Sequence, residues 1–119
     1  MTTFDLEERE HSEPRVRLAE ISGDLDLTNA RDLQAHLDDL TRDDDVVLVL
    51  DLNRVLFIDS AALHVLFRTA RSLGTRRFGL VLEPSAAIAR TLEIVGLSQF
   101  VPVRSSADDI VTALAATPR

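Results

Sequence analysis

The chain contains no cysteine, which excludes disulfides, thiol nucleophiles and cysteine-ligated metals and makes a reducing cytoplasm the expected compartment. Glycine and proline are scarce, four of each, and no repeat or low-complexity segment interrupts the sequence, so it reads as folded rather than disordered. Lysine is missing altogether: all thirteen basic residues are arginine, set against twenty acidic ones. The resulting formal charge of -7 argues against nucleic acid or an anionic membrane surface as a direct partner and suits a basic protein surface better. Long apolar runs are also lacking. "VVLVL" is far short of a membrane span, and the acidic opening "MTTFDLEEREHSEP" has no apolar core of signal-peptide length. No membrane association is expected.

What is present is a chain of 119 residues, 45% hydrophobic and 28% charged, enough for one domain with one core. Phe4 and Leu6 alternate with Asp5 and Glu7, and Val16 and Leu18 with Arg15 and Arg17, which predicts an N-terminal pair of strands. The alternation slips near Ala19 and Glu20, predicting a bulge or an early strand end, and Gly23 is expected to break the chain direction. Thr28 is the expected N-cap of a helix carrying Ala30, Leu33, Leu37 and Leu40 at helical spacing. "VVLVLDL", residues 46 to 52, is uninterrupted and β-branched, the pattern of a central strand covered on both faces.

In the stretch that follows, Leu63, Leu66, Phe67 and Ala70 form a helical stripe, with Ser60 at the expected N-cap and Gly74 at the stop. "RRFGLVL" predicts another strand. Ser85 after Pro84 is expected to open a helix through Ile88, Leu92 and Val95, ended by Gly96. "FVPV" predicts a last strand at an edge, because Pro102 has no N–H to donate, and "SSADDIVTALAA" predicts a final helix with acids in its first turn. Together these define an α/β fold: a mixed, mostly parallel sheet with an N-terminal strand pair, covered by about four helices.

Ser60 admits three readings. As a cap, its oxygen accepts a backbone N–H of the first helical turn. As a nucleophile, it lacks the glycines of a Gly-x-Ser-x-Gly elbow, its nearest histidine is His64 on the same helix, and a capping hydroxyl is already engaged. As a phosphorylation site, it would gain about -1.5 to -2 charges where a helix start tolerates them, and would repel a partner docked there. Ala61 and Val65 offer a small apolar centre beside it.

Other candidates are weaker. His11, His36 and His64 lack ligand spacing, and Asp43 to Asp45 lack the alternating ligands of a calcium loop. Asp24 and Asp26 suit either a paired-acid site or a turn near a helix start. Arg68, Arg71, Arg76 and Arg77 form either a solvated face or a surface for an acidic partner.

"SGDLDLTNARDLQAHL", "VVLVLDLNRVLFIDSAALHVL" and "PSAAIARTLEIVGLSQFVPV", in this order and spacing, resemble the anti-sigma factor antagonists, stand-alone members of the STAS domain family. The resemblance treats residues 1–119 as a single STAS domain with a core of about 14–115. It implies a non-enzymatic partner switch: the unmodified protein binds an anti-sigma factor with a kinase-like ATPase fold and frees the sigma factor. The anti-sigma factor phosphorylates the serine of the Asp-Ser motif, the antagonist lets go, and a phosphatase resets it. Carried over, Ser60 is the phospho-acceptor, and Asp26, Asp59, Ser60, Ala61, Ala62, His64, Val65 and Arg68 form the partner surface. ATP belongs to the partner, no cofactor is expected on this chain, and a monomer or weak dimer is expected. The family commonly has glycine where this chain has Ala62 and His64. Ala62 is expected to place a methyl toward a partner backbone, and His64 is either a plain exposed histidine or a contact for the partner or for a phosphate on Ser60. The alternatives are a non-phosphorylated STAS scaffold, such as a lipid-transport accessory or stressosome-type subunit, and a small serine hydrolase.

Overall fold

The structure, a computed structural model, describes residues 3–116, so residues 1, 2 and 117–119 of the expected domain lie outside the described residues. Its strands are β1 (Phe4–Arg9), β2 (Val16–Leu25), β3 (Val47–Ile58), β4 (Phe78–Val81) and β5 (Val103–Arg104). Its helices are α1 (Ala30–Leu40), α2 (Ser60–Leu73), α3 (Ala89–Val95) and α4 (Ala107–Ala116). The strands form one sheet in the order β1-β2-β3-β4-β5. Only β1 runs antiparallel to its neighbour; the other pairings are parallel. The expected α/β architecture is therefore present, with β5 at an edge.

The period-two pleat of β3 splits the core between the two faces of the sheet. Leu48, Leu50 and Leu52 point to one side, where they join Leu33 and Leu37 of α1, Leu66 and Ala70 of α2, and Leu92 of α3. Val49 points to the other, where it meets Val16, Val81 and the Ile110 and Leu114 side chains of α4. Each fully buried leucine of this kind stabilises the fold by about 1.5–3 kcal/mol.

Gly79 shows how tightly α4 is seated. A Cβ placed there would lie 2.4 Å from the Ile110 Cγ2 atom, and a β-branched side chain held in one rotamer has little room to yield. Gly79→Ala is expected to lower the unfolding free energy by about 1–3 kcal/mol, the usual cost of overpacking. Urea denaturation of Gly79→Ala, Ile110→Ala and the double variant measures this, and a double variant no better than the sum of the singles would refute the steric account.

Several element boundaries differ from expectation. Gly23 lies inside β2 rather than at a break: its φ of +100° and the approach of the Thr3 carbonyl to within 2.6 Å of a Cβ position let the strand continue with β1 packed beside it. The register shifts between Glu20 and Ser22 and again between Gly23 and Asp24, so the slip in alternation is a bulge and not an early end. The N-cap of α1 is Asn29, not Thr28. Residues 84–88 form turns, and α3 starts at Ala89, so Ser85 does not open it.

β3 also runs six residues beyond Leu52. There it pairs with β2 alone, through Arg54 with Ser22, Val55 with Gly23, Phe57 with Asp24 and Ile58 with Leu25, since β4 reaches only Asp51. Asn53 ends that second pairing by accepting the Glu83 N–H on its Oδ1 at 2.7 Å. This overhang carries the chain to the start of α2.

Candidate functional site

The head of α2 is built by Asp59. Its Oδ1 accepts the Ala62 N–H at 3.1 Å, the geometry of a helix N-cap. Its Oδ2 accepts the Leu27 N–H at 3.0 Å, tying the loop between β2 and α1 to the same carboxylate. The Asp59 N–H completes the junction by donating to the Leu25 carbonyl at 3.1 Å. One side chain thus fixes both the helix start and the neighbouring loop.

Ser60 is therefore not the cap. It is the first helical residue and is exposed, and among the described residues its hydroxyl makes no hydrogen bond. The expectation of a capping serine is corrected because the preceding aspartate reaches the same orphan N–H with a charged oxygen, a stronger acceptor than a hydroxyl. The correction also removes the argument that Ser60 is chemically occupied.

The loop that Asp59 tethers is held from within. The Asp26 Oδ1 accepts from both the N–H of Thr28, at 2.9 Å, and its hydroxyl, an Asx turn. Asn29, a buried side chain, accepts the Asp26 N–H at 3.0 Å and donates to the Asp24 carbonyl at 2.8 Å. Asp26 thus shapes the turn with its carboxylate, and Asp24 joins it through its backbone carbonyl. Asn29 was not singled out from the sequence; its one visible signal was an amide residue directly before a helical pattern.

The expected partner surface is only partly on the surface. Ala62 is completely buried, Val65 is buried and Ala61 is half-buried. The buried face of α2 is Ala62, Val65, Leu66, Thr69 and Ala70, rotated from the stripe of Leu63, Leu66, Phe67 and Ala70. Leu63 and Phe67 are half-buried instead, and Phe67 meets Phe100 edge to face, with ring centroids 5.7 Å apart. The reason is that α2 packs against α1 as well as the sheet, which favours small residues on that side. Ala62 therefore cannot present a methyl to a partner, and Val65 at most lines a groove floor.

His64 and Arg68 are both exposed on α2, and the Arg68 Nη2 lies 3.2 Å from the His64 Nε2. That ring nitrogen faces Arg68 rather than Ser60, so the histidine is not posed as a base for the serine. Arg71 and Arg76 are exposed, whereas Arg77 is a structural strut that donates to the carbonyls of Val46, at 3.0 Å, and Asp43, at 3.2 Å.

The other features that sequence reasoning missed are apolar. Leu27 in the tethered loop is 77% exposed, and Leu56 and Phe57 on the β3 overhang are 70% and 52% exposed. All three lie at the end of the sheet from which α2 departs. Exposed apolar residues grouped on a small domain mark an interaction surface. The readable signal was the run "VLFI" after Asn53-Arg54, which continues the strand pattern past two polar residues.

The sequence model of the STAS domain matches residues 9–110, and the chain belongs to the STAS domain family. Among curated proteins it is similar to the anti-sigma-F factor antagonist RsfB of Mycobacterium tuberculosis, 29% identical over 100 residues, covering 83% of this chain and 81% of that one. Its fold is similar to the crystal structure of an anti-sigma factor antagonist from Mycobacterium paratuberculosis, with a TM-score of 0.81, 29% identity and 95% of each chain covered. The Bacillus cell fate determinant SpoIIAA in its phosphorylated form shares the fold at a TM-score of 0.61, with 18% identity, 94% of this chain and 99% of that chain covered. No helix among the described residues is long and apolar enough to cross a membrane.

Proposed function

We propose that this protein is an anti-sigma factor antagonist acting as a reversible partner switch without enzymatic activity of its own. Its unmodified form docks an anti-sigma factor kinase through the head of α2, the Asp26 to Asn29 loop and the exposed end of β3. The partner holds the ATP and transfers the γ-phosphoryl group to the Ser60 hydroxyl, with the proton leaving the hydroxyl and ADP as the other product. A phosphatase hydrolyses the ester and restores the docking form. The exchange takes place in the cytoplasm. The RsfB and M. paratuberculosis antagonists, similar over most of their length, support this reading.

The observation that carries it is the division of labour between Asp59 and Ser60. Because Asp59 performs the capping, the Ser60 hydroxyl is exposed and can be modified without removing any hydrogen bond that holds the helix. A dianionic phosphate beside the Asp59 carboxylate would then disfavour docking by like-charge repulsion.

Affinity capture from native cytoplasm, followed by ATP addition and intact-mass measurement, tests the reading. The wild type should capture a kinase-fold partner and gain the mass of one phosphoryl group, and Ser60→Ala should capture it without gaining mass. A captured partner with no mass gain would remove phosphorylation and leave the non-phosphorylated scaffold. Capture of a transporter ATPase would replace the partner as well.

A further inference from the structure

Helix α2 places the exposed residues Ser60, His64 and Arg68 at successive steps of four. Residues i and i+4 lie one above the other on a helix, about 6 Å apart at Cβ, and helical side chains lean toward the N-terminus. Arg68 therefore reaches back to His64, and His64 stands one turn from Ser60 on the same face. The contact of Arg68 with His64 is made, at 3.2 Å. A guanidinium can only donate, so a hydrogen bond across this contact uses the His64 Nε2 as acceptor and a neutral ring whose proton is on Nδ1. The imidazole thus has a cation behind it and an N–H left for an acceptor on its other side.

The surroundings favour an anion. A groove of about 470 Å³ between α1 and α2 is lined by Arg31 and Asp38 of α1 together with His64 and Arg68 of α2. Of the carboxylates nearby, Asp38 accepts the Gln34 amide at 2.9 Å and Asp59 accepts two backbone N–H groups. Two guanidinium groups and an imidazole thus face one carboxylate within the groove, on a chain whose formal charge is -7.

We infer that His64 and Arg68 form an intramolecular receptor for a phosphoryl group on Ser60, with His64 donating to a phosphate oxygen and Arg68 polarising His64 from behind. The inference rests on Ser60 being the modified residue and adds how the modified state is held. The phosphate folds back along α2 toward the groove and is partly neutralised there, so the off state is an ordered surface and not only a repelling charge.

The test installs phosphoserine at position 60 by genetic encoding, so that it does not depend on any kinase. Phosphorus-31 NMR then follows the ionisation of the ester, whose second pKa is ordinarily about 6. Neighbouring cations favour the dianion, so the wild-type midpoint is expected about half a pH unit or more below that of the His64→Ala and Arg68→Ala variants. The difference should shrink at about 1 M salt, where screening acts over about 3 Å. Arg71→Ala, which alters a nearby exposed arginine outside the receptor, should match the wild type. A midpoint unmoved by either His64→Ala or Arg68→Ala would overturn the pair as a receptor, whatever the outcome of the kinase assay. Circular dichroism confirms that these surface variants are folded.

Discussion

Asp59→Ala is expected to lower the unfolding free energy by about 2 kcal/mol and to loosen the loop before α1. The cap alone is worth about 0.5–2 kcal/mol, and the same substitution also deprives the Leu27 N–H of its acceptor. Asp59→Asn separates the two roles. Its single carbonyl oxygen can receive the Ala62 N–H or the Leu27 N–H, while its NH2 group offers the other only a donor. About half of the loss should therefore remain. Urea denaturation reads the stability, and amide exchange at Leu27 and Ala62 reads each hydrogen bond separately. If Asp59→Ala protects Leu27 as well as the wild type does, the carboxylate is not the tether, and the coupling of helix start to loop fails with it.

Phe57→Ala is expected to weaken capture of the anti-sigma factor about 30-fold, which corresponds to about 2 kcal/mol for an aromatic residue central to an interface. Leu27→Ala should weaken it by about tenfold. Leu27→Ala should change stability by no more than about 0.5 kcal/mol, because that side chain is largely in water, and Phe57→Ala, at 52% exposure, by about 1 kcal/mol. Ile94 supplies the control: it is 73% exposed but belongs to α3, an element outside the proposed docking face. Titration by isothermal calorimetry against the captured partner distinguishes the positions. Loss of affinity with Ile94→Ala in place of Phe57→Ala would move the docking face to α3 and Phe100. Phe57 and Ile94 thus make competing, measurable claims on the same partner.

The relation of these residues to the sequence is uneven. Leu33, Leu37 and Leu40 were legible because α1 is amphipathic with one dry side, and all three are buried as their spacing requires. Helix α2 was misread by about one position because it is packed on two sides. Small residues such as Ala62 and Thr69 are buried, while the larger Leu63 is half-buried and Phe67 meets Phe100 at the rim. Hydrophobic spacing favours the larger residues and so points to the wrong arc. The cap was misassigned for a similar reason: Asp59 and Ser60 are both good capping residues, and only the backbone shows which of them is non-helical. The overhang of β3 was hidden because Asn53 and Arg54 interrupt the apolar run. A strand paired on one side only can carry polar and exposed residues there without losing its ladder.

The sequence by itself determined the class of the protein. An uninterrupted β-branched strand, helices with one apolar face and a proline before the last strand leave few arrangements other than a mostly parallel sheet. The Asp-Ser junction placed the candidate site at one helix start, and the absence of cysteine kept thiol chemistry out of it. The tertiary structure alone decided which of the two residues caps and which is left exposed, which side of α2 faces the solvent, and which loop shares the Asp59 carboxylate. Those outcomes depend on residues far apart in the chain, such as Leu27 and Asp59. Local spacing carries no record of such contacts; they arise when the strands and helices pack.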